Sequence, residues 1–189
     1  GVQVAILREI LVQIGHCLAP WLLTNRAGGE DSRIVEEEMH TYDGMGPMTG
    51  FFRPMDSLLI GLRELNQSER TGNSYGLYTG YLAPVWAAGS VGAFRISGYY
   101  ARKAVSRAER SQNAEELHRA YLVMAFHEML KGASLRNSLD YAQRSIEACG
   151  KGGYWNLSFS RGLPYLAGHD AYSLGEFSRA LEYAHESIR

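Results

Sequence analysis

Apolar residues recur at spacings of three and four along most of the chain, which is the periodicity of amphipathic α-helices. Strand signals are weak, because no run of Val, Ile and Thr alternates with polar residues and no Asn-Gly or Asp-Gly joins two such runs. The pattern therefore predicts an all-α protein of nine helices joined by short turns. The predicted segments are 2–23, 31–45, 55–70, 75–89, 92–110, 114–131, 134–149, 155–173 and 176–188.

The most apolar segment, residues 2–23, has the composition of a membrane span but not its pattern. Four polar residues interrupt it: Arg8, Glu9, Gln13 and His16. A bilayer-spanning helix needs about 20 predominantly apolar residues in succession. The apolar residues instead follow one side of a helix, which predicts a packing or capping helix of a soluble domain. They are Ile6, Leu7, Ile10, Leu11, Ile14, Leu18 and Trp21.

The second half of the chain contains an internal repeat. Residues 180–188, ALEYAHESI, match residues 138–146, SLDYAQRSI, at five of nine positions. A further shift reaches residues 97–105, SGYYARKAV, which retain Ser, Tyr and Ala, and residues 57–65 keep only the pattern of small and apolar positions. The period of 40–42 residues is that of a two-helix unit whose neighbours complete its core.

The repeat predicts a single helical repeat domain over residues 1–189. It would consist of an N-terminal packing helix within residues 1–27 and about four helical hairpins. The predicted hairpins are 31–71, 74–111, 114–150 and 153–189. The chain begins at Gly1 and ends inside an amphipathic run, so we expect it to be part of a longer protein.

Charge and cysteine content narrow the function classes. Nineteen basic and twenty acidic residues give a net charge of −1, so the chain has no overall field that would attract nucleic acid or an anionic membrane. Cys17 and Cys149 match no metal or redox spacing. We therefore expect reduced thiols in a cytoplasmic protein, with no nucleic-acid or membrane partner.

Sequence motifs for phosphate binding and for metal-dependent catalysis are absent. The chain contains no G-x-x-x-x-G-K-[ST] loop for phosphates and no H-E-x-x-H metal motif. Neither cysteine has the basic or helix-start surroundings of a reactive thiol. We accordingly predict no catalytic residue, no cofactor and no metal ion.

The last repeat resembles the tetratricopeptide repeat. Gly168 and Gly175 stand seven residues apart, as the helix glycine and the turn glycine of that motif do, and the second helix carries Phe177, Ala180, Leu181 and Tyr183. Pro164, Ala167 and Ser187 depart from the motif, and the period exceeds its usual length. The resemblance implies a divergent right-handed α-α superhelix, a TPR-like solenoid, whose first helices line a concave surface.

A second resemblance covers most of the chain and rests on looser patterns. The segments LREILVQIGHCLAPWLL, LRELNQSER and YYARKAVSRAER are similar to the helical repeat regions of large bacterial signalling proteins. Those proteins join a kinase or nucleotide cyclase domain to a STAND-type or AAA-type ATPase. The resemblance implies a regulatory or oligomerisation role, and any such enzymatic domain would lie elsewhere in the parent protein.

The repeat register also predicts a binding surface. It aligns Trp86, His127 and His169 on successive first helices, which face the groove in the resembled family. The neighbouring candidates are Lys131, Tyr165 and Tyr172. Aromatic rings offer large contact areas, and histidine and lysine offer hydrogen-bond donors, so the row suits a peptide or partner protein. The alternative is that these residues pack between helices or cap them.

Three hypotheses of function remain. The first is a non-enzymatic scaffold or regulatory module that binds a protein or peptide, including other domains of its parent. The second is a small-molecule or peptide sensor that shifts the parent's activity, and the third is a helical enzyme. Apolar faces at the ends of the array also predict a homodimer. The segment 43–54, rich in Gly, Met and Pro, is either a degenerate helix, which we favour, or an adaptable interface loop.

Overall fold

The computed structural model describes residues 1–19, 37–38, 41–42, 53–72, 74–132, 134–152 and 163–187. Within these ranges the chain forms eight α-helices and no strand, which confirms the all-α prediction. The handedness of the superhelix stays a prediction. The helices are α1 (Val2–Leu18), α2 (Pro54–Thr71), α3 (Ser74–Ser90), α4 (Phe94–Ser111), α5 (Ala114–Lys131), α6 (Leu135–Gly152), α7 (Leu163–Ser173) and α8 (Phe177–Ser187).

Local chemistry sets the ends of these helices. Pro54 occupies the first turn of α2, where a missing backbone N–H costs nothing. The side-chain oxygen of Asn113 caps α5 by accepting from the backbone N–H groups of Glu115 at 2.9 Å and Glu116 at 3.2 Å. At its other end, α5 stops at Gly132, which takes a left-handed conformation with φ of 66°.

The sequence repeat is also a repeat of helices. α4, α6 and α8 begin at Phe94, Leu135 and Phe177, which are 41 and 42 residues apart. The aligned residues Ala101 and Ala142 are both fully buried in their helices. The same offset therefore relates the amino-acid pattern and the start of each helix. The buried small residue recurs in α4 and α6, whereas the aligned Ala184 of α8 is exposed.

The chain divides into two compact units, Gly1–Ala87 and Ala88–Arg189. The first unit contains α1, α2 and most of α3. The rings of Tyr78 and Tyr81 meet edge to face at 6.4 Å between centroids in its core. The fully or almost fully buried apolar residues of this core are Leu62, Leu65, Leu77, Tyr78, Tyr81 and Val85.

The second unit contains α4 to α8, and each of these helices packs against the next one along the chain. A close contact joins the last two, since a Cβ placed on Gly168 would lie 3.3 Å from the Cβ of Tyr183. One apolar core runs through α5, α6 and α7. Its buried members are Leu122, Ala125, Leu139, Ala142, Leu166, Ala167 and Ala171.

α1 differs from its prediction in orientation. The helix lies where the pattern places it, but most of its apolar stripe does not pack against the rest of the first unit. Of the stripe, Ile6 is buried, whereas the residues that follow it are exposed by 38% to 74%. These exposed residues are Leu7, Ile10, Leu11, Ile14 and Leu18.

Some sequence predictions fall outside the described residues. They are Trp21, most of the helix predicted over 31–45, the segment 43–54 up to residue 52, and the first part of the helix predicted over 155–173. The remaining predicted helices agree with the observed ones to within a few residues, apart from the end of the first.

Candidate functional site

An open cleft of about 450 Å³ lies between α4 and α5 in the second unit. Three of its six lining side chains carry a positive charge, two are aromatic and one is a histidine. They are Phe94, Arg95, Tyr99, Arg102, His127 and Lys131. The cleft therefore combines cations with apolar contact area on one accessible surface.

α4 supplies four of these side chains because it is strongly amphipathic. Arg95, Tyr99 and Arg102 follow one another at spacings of four and three, which places them on one side of the helix. Another side carries small residues, and Ala101 and Ala104 are fully buried there. Burial of the small face thus directs the cationic and aromatic face into the cleft.

His127 forms the inner part of the cleft from α5. Only 5% of the residue is exposed, and its Nδ1 lies 2.8 Å from the hydroxyl of Ser97 on α4. Gly98 makes room for the ring, because a Cβ at this position would lie 3.1 Å from Nε2 of His127 and 2.9 Å from a guanidinium nitrogen of Arg102. The missing side chain at Gly98 therefore leaves room beside the α4 backbone for the His127 ring and the Arg102 guanidinium.

The protonation of His127 follows from this environment. Burial is the main cause that lowers its pKa from the ordinary value, and the charges of Lys131 and Arg102 lower it further, while Glu128 opposes the shift. The ring is therefore neutral at pH 7. It can donate from one nitrogen and accept at the other.

Lys131 stands one turn after His127 at the end of α5. Its ammonium lies 3.9 Å from one carboxylate oxygen of Glu128, and the other oxygen lies 3.9 Å from Nε2 of His127. In the described part of the chain neither Arg95 nor Arg102 forms an ion pair. The cleft consequently presents an excess of positive charge, which Glu128 offsets only in part.

The contact between Ser97 and His127 has the residue types of a nucleophile and its base. Ser97 is fully buried, however, so its hydroxyl is not exposed to a substrate in this structure. The carboxylate of Glu128, at 3.9 Å from His127, is also beyond hydrogen-bond distance. The hydroxyl therefore orients the histidine ring rather than forming an accessible catalytic dyad.

The structure brings together two of the six residues that the sequence predicts for binding. His127 and Lys131 line the cleft, whereas His169 and Tyr172 on α7 do not. His169 is about half exposed, with Nδ1 at 3.3 Å from the carboxylate of Asp170, and Tyr172 packs its ring edge to face against Phe177 at 5.5 Å.

The other two predicted residues lie elsewhere. Trp86 belongs to the first unit, on α3, and is 49% exposed. The side chain of Tyr165 lies outside the described residues. The predicted row of Trp86, His127 and His169 therefore contributes one residue, His127, to the cleft.

Sequence reasoning missed the contribution of α4. It assigned binding to the first helix of each predicted hairpin, and α4 falls in the second half of the predicted hairpin 74–111. The signal that could have found it is the spacing of Arg95, Tyr99 and Arg102, which places two cations and a ring on one helix side.

Comparison with known proteins finds no match to a family model, to a curated protein or to a solved structure. Among the described residues, no group of three or more His, Cys, Asp or Glu side chains is arranged to hold a metal ion. In the same part of the chain, each helix is too short or too polar to cross a bilayer.

Proposed function

We propose that this protein is a non-enzymatic binding module and that the cleft between α4 and α5 takes an acidic segment of a partner protein. The observation that carries the proposal is the lining of one open cleft by Arg95, Arg102 and Lys131 together with Phe94 and Tyr99. Arginine binds carboxylates in a bidentate manner, and aromatic rings add contact area at a small cost in rotamer entropy.

The polar groups of the cleft suit carboxylates. The two arginines supply donors from α4, and Lys131 supplies an ammonium from α5, so that negative groups on a bound chain meet donors from both sides. His127 adds a neutral imidazole to the same lining. Complementary charge of this kind speeds association and selects the partner.

The cleft fits a module within a larger signalling protein, as the resemblance of the repeats implies. The acidic segment would then belong either to a separate partner protein or to another domain of the parent. In both cases the helices of the module hold the cleft in place. Binding of the acidic segment then changes which domains of the parent protein contact each other.

A second candidate, a small-molecule sensor, is favoured by the size of the cleft. A volume of about 450 Å³ falls within the range of roughly 300–1,000 Å³ that is typical of small-ligand pockets. Such pockets usually enclose most of their ligand, whereas this cleft is open along one side. The open side favours a chain segment over a metabolite.

The proposal is tested by fluorescence anisotropy with a labelled peptide of about twelve residues that alternates glutamate and tyrosine. The control peptide carries glutamine in place of each glutamate. Binding of the acidic peptide with at least tenfold preference over the control, weakened by added salt, is the expected result. Equal binding of the two peptides, or none, contradicts the proposal.

A second measurement distinguishes a small-molecule sensor from a peptide-binding module. Thermal unfolding is followed with inorganic phosphate and with citrate as small anionic probes. A rise in the unfolding temperature of several degrees with these anions, together with no binding of the acidic peptide, would favour the sensor over the peptide-binding module.

A further inference from the structure

The two faces of α1 are exchanged relative to an ordinary surface helix. Its polar residues Glu9, Gln13 and His16 are 2% to 8% exposed, and they point toward the rest of the first unit. Six of its large apolar residues face outward instead, with exposures from 38% to 74%, and Ile6 is buried. The six exposed residues are Val4, Leu7, Ile10, Leu11, Ile14 and Leu18.

Hydrogen bonds to α2 fix this orientation. The amide of Gln13 donates to the side-chain oxygen of Asn66 at 2.6 Å and to the carboxylate of Glu69 at 2.8 Å. His16 meets the same carboxylate at 2.7 Å, and the amide of Asn66 donates to the carboxylate of Glu9 at 2.8 Å. Because these buried groups are satisfied only in this arrangement, rotation of α1 to bury its apolar face would leave them without partners.

The exposed residues have the spacing of a coiled-coil seam. Val4, Leu7, Leu11, Ile14 and Leu18 follow one another at steps of three, four, three and four, which is an unbroken heptad pattern. No polar residue occupies a seam position. The residues that contact α2 lie on the opposite side, so the seam can meet another helix without disturbing the hydrogen bonds.

We infer that the seam of α1 pairs with the α1 seam of a second copy of this chain, which makes the protein a homodimer through its first unit. The heptad pattern indicates that the partner is a second copy of this chain, because the apolar residues of two identical seams can pack knobs-into-holes. Among the flanking positions only Arg8 is charged, so two copies bring at most one like-charged pair together.

The extent of the seam agrees with this partner. α1 is 17 residues long, which gives a contact about 25 Å in length. Its exposed apolar side chains present on the order of 600 Å² per copy, close to the roughly 800 Å² that each partner of a stable interface buries.

A membrane surface is the less suitable partner for the same face. Helices that lie in a membrane interface carry many basic residues on a polar face that stays in water. The polar face of α1 is instead buried against α2 and includes the carboxylate of Glu9.

The test is sedimentation equilibrium of the whole 189-residue chain at about 100 µM protomer. We expect a mass twice that of the 21.0 kDa chain. Leu11→Asp places a charge in the centre of the seam and is expected to give a monomer. Leu181→Asp on α8 is the matched control, because Leu11 and Leu181 are both 60% exposed. This control is expected to remain a dimer.

Two further measurements test the dimer even if Leu11→Asp prevents the chain from folding. Leu11→Ala removes apolar area without adding a charge and should weaken the dimer at least tenfold while retaining the helical circular dichroism. A nitroxide spin label reacts with the exposed thiol of Cys17 and not with the buried thiol of Cys149. Any pairing of two α1 helices should then place the two Cys17 labels within about 30 Å of each other.

Three results would overturn the inference. They are a monomeric wild-type chain at this concentration, a dimer that Leu181→Asp dissociates and Leu11→Asp does not, and a dimer without the short distance between the Cys17 labels. A monomer that binds vesicles of phosphatidylcholine and phosphatidylserine through α1 would assign the seam to a membrane instead.

Discussion

His118 shows how one buried side chain can make stability depend on pH. The residue is fully buried between α5 and α6, where its Nδ1 lies 3.0 Å from the hydroxyl and 3.2 Å from the carbonyl of Ser145. That hydroxyl donates to the carbonyl of His118 at 2.6 Å, so Nδ1 carries the proton and donates to Ser145. Burial lowers the pKa of His118 to about 4.

This shift predicts a loss of stability in acid. His118 becomes protonated below pH 6.5 in the unfolded chain but only below about pH 4 in the folded chain. The unfolded chain therefore binds more protons between these values, and the free energy of unfolding falls as the pH falls through this window. The loss attributable to His118 is about 3 kcal/mol. Urea unfolding between pH 7 and pH 4 measures it against His118→Gln, whose pH dependence should be flatter.

His185→Gln on α8 is the control for this prediction, because His185 is exposed. The pH dependence of this variant should follow that of the wild-type chain. If the chain with His118→Gln loses as much stability in acid as the wild type does, His118 is not the residue that responds to pH.

His127 predicts a pH dependence of binding rather than of stability. A bound acidic segment brings negative charge toward the ring and raises the pKa of His127, which burial lowers in the empty cleft. Affinity should therefore rise as the pH falls from 8 toward 5.5, where glutamates of the probe stay ionised. Isothermal titration calorimetry in two buffers should detect proton uptake, and His127→Gln should abolish it. Proton release on binding would contradict this account.

At the residue scale the sequence predicts two of the six residues that line the cleft, and the aligned Trp86 and His169 do not line it. The repeat register selects His127, with Lys131 as a neighbouring candidate. It does not predict that Arg95 and Arg102 meet them, since the contact between α4 and α5 depends on Gly98, whose missing side chain admits the ring of His127. Such a close approach is visible only in three dimensions.

At the scale of secondary-structure elements, the sequence predicts the helices correctly where the apolar periodicity matches the buried face of each helix. The starts of α4, α6 and α8 repeat every 41 or 42 residues, as the sequence repeat requires. α1 is the exception. An apolar stripe predicts that a helix has two faces but not which face is covered, and here hydrogen bonds from Gln13, His16 and Glu9 to α2 decide the orientation.

The distance between neighbouring helices at Gly80 and at Gly168 predicts different losses of stability when each glycine is replaced by alanine. A Cβ on Gly80 of α3 would lie 2.7 Å from the backbone N and Cα of Leu65 on α2, so Gly80→Ala must displace a helix. We expect a loss of about 1–3 kcal/mol in the free energy of unfolding. A Cβ on Gly168 would meet Tyr183 at 3.3 Å, where a small shift suffices.

Gly168→Ala is thus the milder member of the pair. Its better helix propensity, about 1 kcal/mol, offsets much of the crowding, and the net change should stay below about 1 kcal/mol. Urea unfolding followed by circular dichroism compares the two variants. Equal losses at both positions would show that the distance to the neighbouring helix does not set the cost.

At the scale of the whole molecule, the two compact units carry different surfaces. The first presents the apolar seam of α1 and the second presents the cationic cleft. This division is consistent with one unit that joins copies of the chain and another that selects a partner. Because the two surfaces share no residue, a substitution in one should leave the other unchanged.

Two arginines on α4 test most directly whether the cleft between α4 and α5 binds acidic chains. Arg102 lines the cleft, whereas Arg107, also exposed on α4, does not. Both Arg102→Gln and Arg107→Gln remove one positive charge from the same helix. The measurement is the affinity of each variant for the glutamate–tyrosine peptide.

We predict that Arg102→Gln weakens binding by about tenfold and that Arg107→Gln changes it less than twofold. Equal weakening by the two substitutions would mean that the peptide responds to the general charge of the helix, and the cleft would then not be its binding site.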